Sequence, residues 1–386
     1  MRSASRCCCA TARRLGREPG VGSVTRVVVA LDSFKGSITA ADAAAAFAAG
    51  WVSDAPAAQV VLRPMADGGE GTVSAFAAAV EGTERVPVTV RGPAGTPVDA
   101  SWLRLPDGTG VVELASTSGI ELLGDERRPW DADTFGFGQA VAAALDAGVT
   151  RLVLGIGSSA STDGGAGFLT ALGARLLDAA GEAIAPGARG VAAVAAVDLS
   201  GMRPLPGGGV VVLSDVTNPL LGPSGAAAVF GPQKGLDAEG VARAEVGLAR
   251  LAALVDADPD APGSGAAGGT GFALRAWGAE LRPGAAEVAG LIGLRNAVRG
   301  AHLVVTGEGA YDGQSAAGKV PSFVAGLAAE AGVSVALVAG RIAPEADVAA
   351  FAASLSLTDL AGSPAEAMAD PGRWLHAAGA ALAARF

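Results

Sequence analysis

From Arg26 onward, short runs of β-branched residues alternate with longer Ala-rich runs. Strands separated by helices in this way predict an α/β protein with a largely parallel sheet. Arg26 to Leu31 and Gln59 to Arg63 read as strands, followed by helices near Thr39 to Trp51 and Glu70 to Val80. Glu84 to Arg91, Val98 to Leu105 and Gly110 to Leu114 then read as strands with no helix between them, and Pro106-Asp107-Gly108 is a turn signal. A change of domain is expected there. Alternation resumes with a helix over Thr134 to Ala147, a strand over Arg151 to Ile156, a helix from Gly165 and strands at Arg175 to Leu177 and Val210 to Ser214. Asp237 to Val255 predicts the longest amphipathic helix, and Pro259 to Gly271 a flexible loop. A last βαβ stretch runs from His302 to the C-terminus, with strands at Leu303 to Thr306 and Ser334 to Ala339.

Composition narrows the class. Half of the 386 residues are hydrophobic and only 17% are charged, which excludes a disordered chain. No run of about 18 residues is apolar without a break, so no membrane helix is expected. The net charge of −10 argues against nucleic acid or an anionic membrane as partner. A phosphorylated ligand stays open, because such sites are built locally from N–H groups and a few cations. The only cysteines are the adjacent Cys7, Cys8 and Cys9, which offer neither a disulfide framework nor metal spacing, so the body reads as cytoplasmic. Residues 1–25 carry five Arg and one Glu without an apolar core, and are expected to be a disordered extension or a mis-called start.

Ligands of open α/β sheets bind outside the carboxyl ends of the strands. Five predicted strands end in loops that combine glycine, hydroxyl and carboxylate. The first two contain Asp32, Ser33 and Lys35, then Asp67, Gly68 and Glu70. The third runs from Gly155 to Gly165 through Gly157, Ser158, Ser159 and Asp163. The last two hold Asp215 and Asn218, then Glu308, Asp312 and Gln314. Glycine lets backbone N–H groups approach a ligand, and carboxylates hold Mg²⁺ or act as a base. One such loop is ordinarily a polar turn capping a helix; five in so uncharged a chain point to a site. Lysine usage agrees. The chain has 25 Arg but only three Lys, and Lys35, Lys234 and Lys319 each stand beside a glycine, as compact charges suited to phosphate.

Two motif look-alikes are weaker. The segment from Gly313 to Lys319 matches a P-loop up to its lysine, but Val320 replaces the Mg²⁺-binding hydroxyl. Gly155-x-Gly157-x-x-Ala160 with Asp178 is a dinucleotide fingerprint, but Asp163 sits where a pyrophosphate needs positive potential. A nicotinamide dehydrogenase and a non-catalytic metabolite-binding protein are therefore the lesser alternatives. His302 and His376, the only histidines, lie outside these loops and read as structural. Tyr311 is read equally as a ligand contact or as packing.

Seven segments, taken in order, resemble the glycerate kinase family of the glycerate 2-kinase type. They are ALDSFKGS from Ala30, PMADGGEGT from Pro64, GIGSSASTDGGAG from Gly155, SDVTNPLLG from Ser214, FGPQKG from Phe230, GSGAAGGTG from Gly263 and TGEGAYDGQSAAGKVP from Thr306. The resemblance implies ATP- and Mg²⁺-dependent phosphorylation of D-glycerate, usually to 2-phosphoglycerate, with 3-phosphoglycerate as the alternative product. It also implies two α/β domains. One is Rossmann-like with a mostly parallel sheet, formed by 26–83 plus 290–386; the other, mixed and inserted, is formed by 84–289. A cleft between them would hold the site.

On this basis Lys35, Asp163, Asp215 and Glu308 are the expected catalytic residues, with Asp215 and Glu308 also the expected Mg²⁺ ligands. Which carboxylate is base and which ligand stays open. Asp32, Ser33, Asp67, Gly68, Glu70, Gly157, Ser158, Ser159, Asn218, Lys234, Asp312, Gln314 and Lys319 are the expected substrate or phosphate contacts. The family commonly has Arg where this chain has Ala310, and Asn where it has Thr162. Arg341 is the candidate to replace the cation absent at 310. A homodimer is compatible with the sequence and not required by it.

Overall fold

The computed structural model describes residues 25–312 and 320–386; the expected contacts Gln314 and Lys319 and the expected extension over residues 1–24 lie outside them. Two sheets organise these residues. The first is fully parallel, with spatial order Gln59–Leu62, Arg26–Leu31, Leu303–Gly307, Ser334–Ala339 and Ala353–Ser356. In chain order that is 2-1-3-4-5, which reverses direction between Arg26–Leu31 and Leu303–Gly307. The carboxyl ends of those two strands form the topological switch point of such a sheet.

The second sheet is mixed. Glu84–Arg91, Pro97–Arg104 and Thr109–Glu113 form an antiparallel meander, and Arg151–Gly155, Val210–Leu213 and Glu280–Arg282 add in parallel beyond it. Parallel additions need crossovers, and the helices Phe135–Asp146 and Ala266–Trp277 lie in two of them.

Period-two alternation distributes the strand side chains. Val27, Val29 and Leu31 face a core with Phe47, Trp51, Leu375 and Leu382 from the helices Ala40–Asp54 and Pro371–Ala383. Val28 and Ala30 face the opposite way, into a core that also takes Val153, Val211 and Leu213 of the second sheet, with Phe76 and Val324. The inner faces of the two sheets therefore share one apolar layer. The outer face of the mixed sheet buries Leu152, Leu154 and Val212 against Phe137, Phe168 and Phe272.

Helix starts follow their caps. Thr39 accepts from Asp42 N at 3.2 Å ahead of Ala40–Asp54, and Asp237 accepts from Gly240 N at 2.7 Å ahead of Ala238–Leu254. One expectation fails. The glycine-rich stretch taken as a flexible loop ends in the buried start of the helix Ala266–Trp277, where Gly268 to Gly271 are all buried. Gly271 packs so closely that an added Cβ would stand 2.1 Å from the Gly263 carbonyl oxygen. Alanine-scale bulk is absent here because two backbones meet. No helix among the described residues is long and apolar enough to cross a membrane.

Candidate active site

Both sheets direct strand ends into one cleft, which holds two adjoining cavities of about 370 and 600 Å³. The smaller lies at the switch point of the parallel sheet, between the loops after Leu31 and Gly307. Its polar side carries Asp32, Ser33, Glu308 and Asp312, and its apolar side Phe34, Val320, Leu357 and Met368. The larger lies at the carboxyl ends of Arg151–Gly155 and Val210–Leu213, and carries Gly157, Ser158, Ser159, Asp215 and Lys234. Lys35 and Asp67 line both cavities and so mark their junction.

Glycine brings the loops together. Gly68, at φ +97°, lies so close to the mixed sheet that a Cβ there would meet the Leu213 carbonyl oxygen at 2.3 Å. A Cβ on Gly157 would meet Gly69 Cα at 2.5 Å, and Gly157 N donates to Gly68 O at 2.9 Å. Backbone rather than side chain thus joins the Asp67 loop to the larger cavity. Among the described residues only two non-glycines have positive φ, Ser158 at 60° and Ala267 at 54°, and both line that cavity. Ala267, Gly268 and Gly269 form a left-handed run with φ of 54°, 67° and 92°. Strained residues persist where surrounding structure fixes them and cluster at ligand sites.

The junction is acidic. Burial pushes the Asp32 carboxyl well above the usual carboxylate range, and the charges of Asp67 and, more weakly, Glu308 push it further; the Ser33 N–H at 2.7 Å and Lys35 oppose this. Asp215 opens onto the cavity, yet partial desolvation raises its carboxyl too, against a hydrogen bond from Gly284 N at 2.8 Å. Asp67 raises it further. Asp67 Oδ1 accepts from Gly69 N at 3.0 Å. Lys234 is 2% exposed and its amine is pushed down to about 7, chiefly by burial. Lys234 Nζ donates to Ser159 Oγ at 2.8 Å and to Ser161 O.

Several expected residues stand elsewhere. Asp163 lines neither cavity and is fully buried. Its Oδ2 accepts from Thr134 N at 3.0 Å, Thr134 Oγ1 at 2.8 Å and Gly167 N at 3.1 Å. Its Oδ1 accepts from Ser161 Oγ at 3.0 Å and Gly165 N at 3.2 Å. Five hydrogen bonds converge on this carboxylate, away from both cavities where it was expected to act. Asn218 likewise clasps its own loop, donating to Ser224 O at 2.8 Å, and lines neither cavity. Glu70 faces a side recess with Lys35 and Glu121. Asp215 and Glu308, each expected as a Mg²⁺ ligand, line different cavities, with Asp67 at the junction between them. Among the described residues no group of three or more His, Cys, Asp or Glu side chains could hold a metal ion by itself. Tyr311 packs edge-on against Phe351 and donates to Asp347 O at 3.2 Å, outside both cavities.

The nicotinamide fingerprint also fails. The helix after Gly157 begins only at Ala166, and Asp178 caps a hairpin turn, accepting from Ala180 N at 2.9 Å and Glu182 N at 3.0 Å. Sequence reasoning missed Arg127 and Gln233 of the larger cavity and the apolar side of the smaller one. Gln233 was within reach, beside Lys234 in the same Gly-Pro-Gln-Lys-Gly segment; Arg127 lies away from any strand end and carried no signal. Arg341 does line the smaller cavity, paired in register with Ala310 across a short two-stranded ladder.

Comparison with known proteins agrees with this architecture. The model of the glycerate kinase family matches residues 27–386. Glycerate 2-kinase of Escherichia coli (strain K12) is 41% identical over 84% of this chain and 87% of its own length. Glycerate kinase of Bacillus subtilis (strain 168) is 41% identical over 83% of this chain and 86% of its own length. A crystal structure of a Salmonella typhimurium LT2 protein provisionally named glycerate kinase 2 superposes with a TM-score of 0.81 at 38% identity, covering 94% of this chain and 98% of that one.

Proposed function

Since this chain belongs to the glycerate kinase family, we propose that it transfers the γ-phosphoryl group of ATP to the 2-hydroxyl of D-glycerate. The observation that carries the reading is the pair of cavities meeting at Lys35 and Asp67. Phosphoryl transfer needs donor and acceptor in line on either side of a charged junction. The smaller cavity, with an apolar side for a base and a charged end, takes the nucleotide. The larger, polar cavity takes the acceptor.

In this arrangement Lys35 binds the phosphoryl group as it passes between the cavities. The acceptor hydroxyl oxygen bonds to phosphorus, the bond to the ADP oxygen breaks, and the hydroxyl proton passes to the Asp215 carboxylate. Its raised carboxyl makes Asp215 a stronger base than an ordinary carboxylate, which suits that proton transfer. Asp32 and Asp67 crowd negative charge beside the junction, and a pair of carboxylates fits a hard cation whose remaining ligands are phosphate oxygens and water. They would hold Mg²⁺ there together with phosphate oxygens, and when bound it supplies neutralisation of phosphate charge. Small-molecule partners, without nucleic acid or membrane, and a cytoplasmic setting complete the reading.

Incubation with Mg-ATP and D-glycerate, read by ³¹P NMR, tests it. A 2-phosphoglycerate resonance is expected. A 3-phosphoglycerate resonance would overturn the regiochemistry alone, and no product from folded protein would overturn the function.

A further inference from the structure

Lys234 is a buried amine in the wall of the larger cavity. Among the described residues no carboxylate makes an ion pair with it, and its two hydrogen bonds go to uncharged oxygens, Ser159 Oγ and Ser161 O. An ammonium has three donors, so one is left over. The Gly268 backbone lies against the amine: a Cβ there would stand 2.9 Å from Nζ, and that residue holds φ +67°. Among the described residues two lysines line the cleft: Lys35 stands at the junction and Lys234 lines the larger cavity only. The phosphoryl group must pass Lys35. Lys234 therefore meets the end of the acceptor that does not react.

We propose that Lys234 is the specificity-determining residue that reads the acceptor's carboxylate. The inference rests on the kinase reading and names the chemistry of its acceptor: a small hydroxy acid with the reacting hydroxyl next to the carboxylate. An uncharged polyol lacks the group that pairs with Lys234. The charged groups around the amine are Asp163 behind the Ser161 loop and, across the cavity, Lys35, Asp67, Glu121, Arg127 and Asp215. Asp163 favours the protonated form and burial disfavours it more, so the free amine sheds its proton near neutrality.

The test compares D-glycerate with D-glyceramide, its uncharged isostere, as acceptors for the wild-type enzyme across pH 6 to 9. Because kcat/KM reports groups of the free enzyme, its value for glycerate is expected to fall above about pH 7, approaching about tenfold per pH unit, while that for glyceramide does not. Lys234→Met is expected to raise KM for glycerate at least about tenfold, leave KM for ATP unchanged and abolish the preference for glycerate over glyceramide. A residue that only supports the fold would not move that preference. Parallel pH profiles for the two acceptors, or an unchanged preference in Lys234→Met, would overturn the inference and leave the kinase reading standing. No product from wild-type protein and glycerate would overturn both.

Discussion

Replacing Lys234 by Met removes an amine that is 2% exposed and held down to about 7. In the unfolded chain the same amine titrates near ~10.4. Between these values the unfolded state binds a proton that the folded state lacks, so stability rises with pH. The slope approaches ~1.4 kcal/mol per pH unit. At pH 7 the buried amine costs about 4 kcal/mol, and raising the pH to 9 relieves about 2 kcal/mol of it. Met cannot donate to Ser159 Oγ or Ser161 O, which costs about 1–3 kcal/mol, but that loss does not depend on pH. The pH dependence therefore isolates the amine where absolute stability does not. Urea unfolding of wild type and Lys234→Met at pH 7, 8 and 9 should show wild type gaining about 2 kcal/mol relative to the variant. Parallel curves over that range would refute a buried amine with a depressed pKa.

Asp215→Asn should lower kcat by about 100-fold or more with the thermal midpoint nearly unchanged; retained turnover would remove Asp215 as proton acceptor. Asp163→Ala should instead cost at least about 3 kcal/mol in urea unfolding, since five donors lose their acceptor; a variant of wild-type stability would refute the structural role. Gly68→Ala should destabilise by more than about 2 kcal/mol, because its φ and the Leu213 carbonyl both resist a Cβ, and a scan showing no shift would contradict that close approach. Arg341→Ala should raise KM for ATP roughly five- to tenfold with little change in KM for glycerate; the reverse pattern would exchange the assignments of the two cavities.

The strands were legible because alternation and β-branching are local signals. Glu84–Arg91 and Ser334–Ala339 fall where the pattern places them. The loops were legible because a strand end rich in glycine and acid has few other uses. Asp163 was not separable from Asp215 on those grounds. Both are loop aspartates after a strand, and only the fold decides that five donors converge on one and a single backbone N–H on the other. The Gly263 to Gly271 segment misled for a related reason: glycine marks both freedom and close packing, and which applies depends on a backbone far away in sequence. Lys234 was found through an imbalance in residue usage, but its burial and its hydrogen bonds to Ser159 and Ser161 are properties of packing alone.

The central strand of the parallel sheet pairs Val27 with Leu303 and Leu31 with Gly307. At roughly 5–20 residues per second of synthesis, Leu303 leaves the ribosome about 14–54 s after Leu31. For that interval the apolar strand Arg26–Leu31 lacks its inner neighbour, and every strand of the mixed sheet is made before that neighbour appears. The order of manufacture thus favours a completed inserted layer onto which the first strand waits to dock. Chaperone dependence and aggregation during expression should concentrate in this interval, and a circular permutant that begins near residue 84, joining the old termini, would make Leu303–Gly307 before Arg26–Leu31 and so remove it.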